Sequence, residues 1–532
     1  MNQKRFLSSI MKTKMKKTKF LVIALSLFII SWFMLRVCSE TGITRDRFAY
    51  LDKRQKLINS ERQSRFDAKA KISPLEAVAN DQLLKFKQGE KIRLGQIFPP
   101  AQNFLTSKKY IDNSPLLDIF KKMPKGAILH AHLTTTGDYR WLISFGTYLP
   151  NCYIYTGKNE PPLMNGAIRF FKNSPGSGWK LINQLREAAQ NKEQFDDNLF
   201  RSITLGEEDL NQNGGQAHIL EEFRKCTVRV EGLVNYLPVY LEYCRKLYTD
   251  LISEGIQYAE FRSSLSGVYD LEGNDINPGK IIELQQKILS GIKKENPEFN
   301  MKIIYSSMRF YSRKSIYEYL KKAVELKKRY PEFIAGFDLT GEEDKRSILY
   351  FINEILSLEK ETKNNPKNFT FFLHAGESNL TDNENLYDAI LIHSKRIGHA
   401  YALSHHPLLS RIIKEKQIAL EICPISNQVL GYADNLQNHP AIGYLNYGLP
   451  ITLNPDNPGI MKYHLAYEYY ETFLAWGLEL KSFKQLAINS INFSAMTVRE
   501  KRAAMKIWQK QWQDFISTLA KNKFSQHPIT NR

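Results

Sequence analysis

The chain has 532 residues, 43% hydrophobic and 12% aromatic, which is enough apolar material for a large core and excludes a mostly disordered polypeptide. Five cysteines exclude a scaffold built on disulfides. The 74 Lys and Arg against 55 Asp and Glu leave a net charge of +19, which would suit a nucleic acid or a membrane as partner.

The distribution of that charge removes the nucleic acid. Residues 1–19 carry Lys4, Arg5, Lys12, Lys14, Lys16, Lys17 and Lys19 with no acid, and 13 of the 19 net charges fall in the first 100 residues. Basic runs further on, such as Lys321–Arg329, alternate with apolar positions as solvated helix faces do. The basic tail leads into FLVIALSLFIISWFML (Phe20–Leu35), apolar apart from Ser26 and Ser31. A basic region followed by such a run reads as an export signal, cleaved or kept as a signal anchor, with the body outside the cytoplasm. Arg36 stands where a lipoprotein-type cleavage site wants a small residue, so Cys38 is not expected to carry a lipid. Residues 1–39 are assigned to this leader, and any membrane contact is confined to it.

Residues 40–122 form a helical arm, charged and patterned as helix from Asp46 to Glu90 and ending at Phe98-Pro99-Pro100. The body follows, over 123–525. Eight short β-like runs alternate there with longer helical patterns: Ala127–His132, Ile256–Arg262, Met301–Ser306, Ile334–Leu339, Phe369–His374, Arg396–His399, Ala419–Cys423 and Pro450–Asn454. Eight such units predict an α/β fold, a (β/α)8 TIM-type barrel. The longest gap, with its NEPPLMNG, NSPGSG and NQNGG clusters, is read as an insertion after the first strand, over 150–224. The stretch Leu480–Lys523 is amphipathic and closes the body, leaving 526–532 as a tail.

In such a barrel catalytic residues sit where strands end. Strand one ends in His130-Ala131-His132, whose two imidazoles alternate onto one face as chelation requires. Strand five ends in His374-Ala375-Gly376-Glu377, strand six in Gly398-His399, and strand eight runs into Asn454-Pro455-Asp456-Asn457. Three imidazoles and a carboxylate suit zinc with room for a water, whose pKa the metal lowers to near 7. A further His can orient that water and take its proton, and a nearby Glu can protonate a substrate ring nitrogen. The set describes hydrolytic attack on an electron-poor carbon. It is not the H-x-E…P-C-x-x-C zinc deaminase pattern, because Cys423-Pro424 has no second Cys. Cys226, Cys244 and Cys423 read as buried thiols, His405 and His406 as loop residues, and Asp338 as a hydrogen-bond partner of the following loop.

The runs MPKGAILHAH (Met123–His132), FDDNLFRSITL (Phe195–Leu205), IAGFDLTGEED (Ile334–Asp344), FFLHAGES (Phe371–Ser378), RIGHAYALSHHP (Arg396–Pro407), EICPISNQVL (Glu421–Leu430) and NPDNPG (Asn454–Gly459) resemble, in order, the adenosine deaminase-related growth factors, the type 2 branch of adenosine deaminase. The likeness runs from about residue 75 to 525. It implies an amidohydrolase barrel with one Zn2+ per subunit, converting adenosine or 2′-deoxyadenosine to the inosine product and ammonia. It also implies His130, His132, His374 and Asp456 as metal ligands, Glu377 as the acid at purine N1, and His399 acting on the water. Asp456 thereby counts among the catalytic residues. The backbone N–H of Gly341 would meet N3 and Asn457 would meet N7, and the arm would form a homodimer.

Four departures from that family pattern stand out. Leu133-Thr134 follows the histidine pair where the family has a ribose-holding Asp, and Asn457 replaces the second Asp of a pair. Met308-Arg309 replaces a His-Arg pair, and Cys152 lacks the family's disulfide partner. Two alternatives therefore remain: a deaminase of a related purine base or modified nucleoside, and a nucleoside-binding or signalling protein whose catalysis is vestigial.

Overall fold

The computed structural model describes residues 44–157, 165–176, 178–210, 215–362, 369–522 and 524. The leader and the tail after residue 525 lie outside the described residues. Among the described residues, no helix is long and apolar enough to cross a membrane. The chain divides into two units, Met1–Ser64 and Arg65–Arg532.

Of the first unit the structure describes the helix Thr44–Ser64. It is highly charged, with an i,i+4 ion pair between Lys56 and Asp52 at 2.8 Å. Phe48, Tyr50, Leu51 and Leu57 are exposed on it.

The second unit contains all eight strands anticipated from the apolar runs: β1 (Gly126–His132), β2 (Ile256–Ser263), β3 (Asn300–Met308), β4 (Ile334–Thr340), β5 (Phe372–Ala375), β6 (Arg396–His399), β7 (Ala419–Ile422) and β8 (Ile451–Leu453). They pair in parallel as two four-stranded sheets, in the orders β1-β2-β3-β4 and β8-β7-β6-β5. Parallel bridges from Ala131 to Asp456 and from Phe337 to Phe371 join the sheets at both edges. The result is an eight-stranded barrel with helices between strands, the (β/α)8 architecture. Its strands are buried along most of their length because inner and outer faces are both covered; every residue of β4 is buried. β5 begins later than the run Phe369–His374 suggested, because Phe371 makes only the single bridge to Phe337 before the regular ladder starts.

Side chains complete the seam between β8 and β1. Asn454 Oδ1 accepts from the backbone N–H of Leu129 (2.8 Å) and of His130 (3.1 Å). Beyond it, Asp456 and the His130–His132 backbone exchange two hydrogen bonds, at 3.2 and 3.1 Å.

The helical pattern of the arm is interrupted around residues 65–73. Pro74 has no N–H to continue a helix but suits the first turn of a new one, Pro74–Leu94. Ser73 and Glu76 form a capping box there, with bonds of 3.2 and 2.7 Å. Glu76 also accepts from Trp512 and Lys484, each at 2.7 Å, and Tyr470 donates to Glu90 at 2.6 Å. These bonds tie the helix to Leu465–Ala475 and to Leu480–Asn492 and Val498–Ala520, the last two being the helices of the closing stretch.

The insertion after β1 holds a three-stranded antiparallel sheet, Ile168–Phe170, Cys152–Tyr155 and Trp179–Leu181, that the sequence did not reveal. Strands of three or four residues are too short to show an alternating pattern. Cys152 in this sheet is a buried free thiol, as are Cys226, Cys244 and Cys423.

Candidate active site

The C-terminal ends of β1, β5, β6 and β8 converge on one buried point. His130, His374, His399 and Asp456 each bring a ligand-type atom to within 4.8 Å of the others. His132 approaches the same carboxylate, with Nε2 3.3 Å from Asp456 Oδ1, while His130 Nε2 lies 3.4 Å from that oxygen. The other oxygen, Oδ2, accepts from the Ser426 hydroxyl at 2.6 Å. His130 Nε2, His399 Nε2 and Asp456 Oδ1 are buried and make no hydrogen bond. Buried polar atoms without partners are costly, and here they converge.

Two of the imidazoles are oriented from behind by carboxylates. His130 Nδ1 lies 2.8 Å from Glu421 Oε2, and His374 Nδ1 lies 2.6 Å from Asp338 Oδ2. A carboxylate can only accept, so Nδ1 carries the proton and Nε2 turns a lone pair inward, the usual arrangement behind a metal-bound imidazole. Arg262 connects the pair, bonding Asp338 at 2.7 Å and Glu421 at 2.6 Å. Arg396 bonds Glu421 at 2.5 Å and Glu260 at 2.6 Å. Burial opposes ionisation of Asp338 and Glu421, but their basic neighbours outweigh it and hold both carboxyls well below the usual range. Arg262 and Arg396 between them bond Asp338, Glu421 and Glu260, whereas Asp456 pairs only with imidazoles among the described residues, a carboxylate that suits a divalent cation. Donor chemistry, unpartnered atoms and charge all fit zinc.

The expectation that Asp338 supports the following loop is corrected: its carboxylate bonds Arg262 and both the ring and the backbone N–H of His374. Glu343, within that loop, reaches across to the loop after β5, accepting from the N–H of Gly376 and of Ser378, each at 3.0 Å. Glu377 is carried between those two anchors, with Oε1 3.6 Å from His399 Nε2. Burial, and then the negative charges of Asp456 and Glu343, raise its carboxyl well above the ordinary value and so favour its protonated form. Burial and the neighbouring His130 push His399 well down, so its imidazole is neutral. His399 (φ +61°) and Asp456 (φ +58°) both adopt the left-handed region, a backbone cost of ~1–3 kcal/mol each that is typical of residues held for function.

Gly398 is required by contact rather than by φ. A Cβ there would lie 2.9 Å from His130 Cε1 and 3.3 Å from His374 Cα, with no room in the barrel for either to retreat. Gly398→Ala is therefore expected to displace the His130 ring and weaken metal binding by ~10-fold or more, measured as metal content after dialysis against a weak chelator.

Gly341 lies just past β4 at φ +94°, and Asn457 follows Asp456, its Oδ1 accepting from the Thr135 hydroxyl at 2.6 Å. Leu133 is 1% exposed and packs in the core, so it offers a sugar nothing. Arg309 is buried behind β5, donating to His374 O at 2.6 Å. Sequence reasoning missed Glu260, Arg262, Arg396 and Glu421. Their signal was present: all are charged residues within strands whose positions are almost all buried.

A family model described as adenosine deaminase matches residues 230–510, and one described as adenosine/AMP deaminase N-terminal matches residues 29–120. The chain is 36% identical to adenosine deaminase 2 of Dictyostelium discoideum over 474 residues, covering 88% of this chain and 87% of that protein. The chain belongs to the adenosine deaminase family. Two solved structures share the family barrel at low identity, which bears on the fold alone. The N6-mAMP deaminase of Arabidopsis has a TM-score of 0.53 and 17% identity, covering 74% of this chain and 99% of that one. A zinc-bound amidohydrolase from Burkholderia ambifaria has a TM-score of 0.52 and 17% identity, covering 77% and 96%.

Proposed function

We propose that this chain is a zinc-dependent hydrolase that deaminates adenosine and 2′-deoxyadenosine, giving inosine or 2′-deoxyinosine and ammonia. The observation that carries the reading is the buried convergence of His130, His374, His399 and Asp456, with His132 beside them, in a chain of this family. One zinc ion, held by His130, His132, His374 and Asp456, would lower the pKa of a water to near 7 and so supply hydroxide. Glu377, kept protonated, gives its proton to purine N1 and makes C6 electrophilic. His399, in the same cluster as Asp456, orients the attacking water. The backbone N–H of Gly341 meets N3. The amide of Asn457, with its oxygen engaged by Thr135, donates to N7. Buried Leu133 leaves the sugar without a carboxylate partner, which favours loose selection at the ribose.

The test is an absorbance assay of the purified protein on adenosine, 2′-deoxyadenosine and adenine, before and after chelation. Both nucleosides should be turned over. Activity should vanish on chelation and return with zinc. Turnover of adenine alone would move the reading to a base deaminase, and no turnover of any purine would leave a binding protein.

Two further parts of the reading concern the N-terminus. Export through Phe20–Leu35, cleaved or anchored, puts the catalytic body outside the cytoplasm. Homodimerisation through the arm is supported by the exposed Phe48, Tyr50, Leu51 and Leu57 of the helix Thr44–Ser64.

A further inference from the structure

Behind His399 stands a hydrogen-bond chain unlike those behind the other buried imidazoles. The backbone N–H of Ala441 donates to His439 Nδ1 at 3.1 Å. A backbone N–H can only donate, so Nδ1 of the neutral ring is the acceptor and the ring proton sits on Nε2. His439 is 1% exposed, and burial pushes it down to about 3, so the ring is neutral. Its Nε2 lies 3.2 Å from Asn427 Oδ1, which accepts that proton. The Asn427 oxygen is thereby engaged, and its Nδ2, which can only donate, faces His399 Nδ1 at 3.4 Å. His399 Nδ1 must then accept, and its proton lies on Nε2. That atom makes no hydrogen bond and points at the cluster, 3.6 Å from Glu377 Oε1. Asn427 and His439 are both fully buried, so water cannot replace either link.

The contrast with His130 and His374 is chemical. Those rings have carboxylates behind them and turn lone pairs inward. His399 has an amide donor behind it and turns an N–H inward. We infer that Asn427 and His439 are positioning residues that fix the His399 tautomer, making His399 a hydrogen-bond donor to the attacking oxygen and excluding it from the metal's ligands. The inference rests on the hydrolase reading for its kinetic consequence but not for its effect on metal binding. If His439 could not donate, the Asn427 amide would be free to turn over and present its oxygen. His399 would then protonate at Nδ1 and aim a lone pair at the metal site, as a potential extra ligand.

The experiment compares wild type, His439→Leu and His439→Gln; the last retains an N–H donor that reaches Asn427. Each zinc-loaded protein is assayed on adenosine, and zinc loss to an excess of chelator is timed separately. His439→Leu should lose ~10–100-fold in kcat with KM within about twofold, and should release zinc about tenfold more slowly, because partners behind a metal site carry effects of this size. His439→Gln should restore both values towards wild type. If the two variants behave alike in both readouts, or if His439→Leu matches wild type, the relay is overturned. Absence of adenosine turnover by wild type would overturn the hydrolase reading, and the zinc-release comparison would still decide the relay.

Discussion

Glu377→Gln is expected to lower turnover of adenosine by ~10²–10⁴-fold while leaving metal content and thermal stability near wild type. The amide keeps the shape of the carboxyl and the anchors on either side, since Glu343 bonds the backbone of Gly376 and Ser378 and not the Glu377 side chain. What the substitution removes is the transferable proton. That proton is held because burial and two carboxylates, Asp456 and Glu343, disfavour the charged form. Removing one acidic group from so negative a site should ease folding slightly, so any loss is not a stability effect. Steady-state kinetics on adenosine with parallel metal analysis checks this. Unchanged turnover would show that the proton comes from elsewhere, and with it the proposed mechanism would fall. Unchanged binding with no turnover in either protein would favour a vestigial site.

The parts of this site legible in the sequence were those that a single strand or its end can carry. His130 and His132 share a face because strand side chains alternate, and Gly398-His399 and His374 appear at the ends of apolar runs that could hardly be anything but barrel strands. Resemblance then supplied roles for Glu377, Gly341 and Asn457. What stayed hidden was pairing across the barrel. Arg262 meets Asp338 from 76 residues away and Glu421 from 159, and no local pattern encodes such a contact. His439 was equally silent, because its part depends on a backbone N–H two residues later and on an asparagine twelve residues earlier. The left-handed backbone of His399 and Asp456 was also out of reach, since the enrichment of His and Asp in that region does not single out a position. The arm was read as one pattern although Ser73-Pro74 carries a start signal that could have divided it.

The second large effect is expected from Arg262. Its guanidinium is wholly buried and bonds Asp338, Glu421 and the carbonyl oxygens of Leu129 and Phe372, so it links β2 to β1, β4, β5 and β7. Arg262→Met keeps an apolar stem but leaves two buried carboxylates without their shared cation, and breaking such a pair costs ~3–5 kcal/mol. The midpoint of chemical unfolding should fall accordingly, and activity should be lost with it because His130 and His374 lose the anchors that hold their rings. Removing the orphaned charges as well should recover much of the stability: Arg262→Met with Glu421→Gln and Asp338→Asn is expected to be less destabilised than Arg262→Met alone. Activity should not return, since amides no longer define the ring tautomers. The sign with pH follows from the same contacts. Asp338 and Glu421 are held below their ordinary values of 3.8 and 4.5, so their contribution is present above those values and is lost as pH falls below them. Wild type should therefore lose stability in acid more steeply than the triple variant, which has no such carboxylates to protonate. A triple variant less stable than Arg262→Met at neutral pH would mean that shape, and not charge, holds the centre of the barrel together.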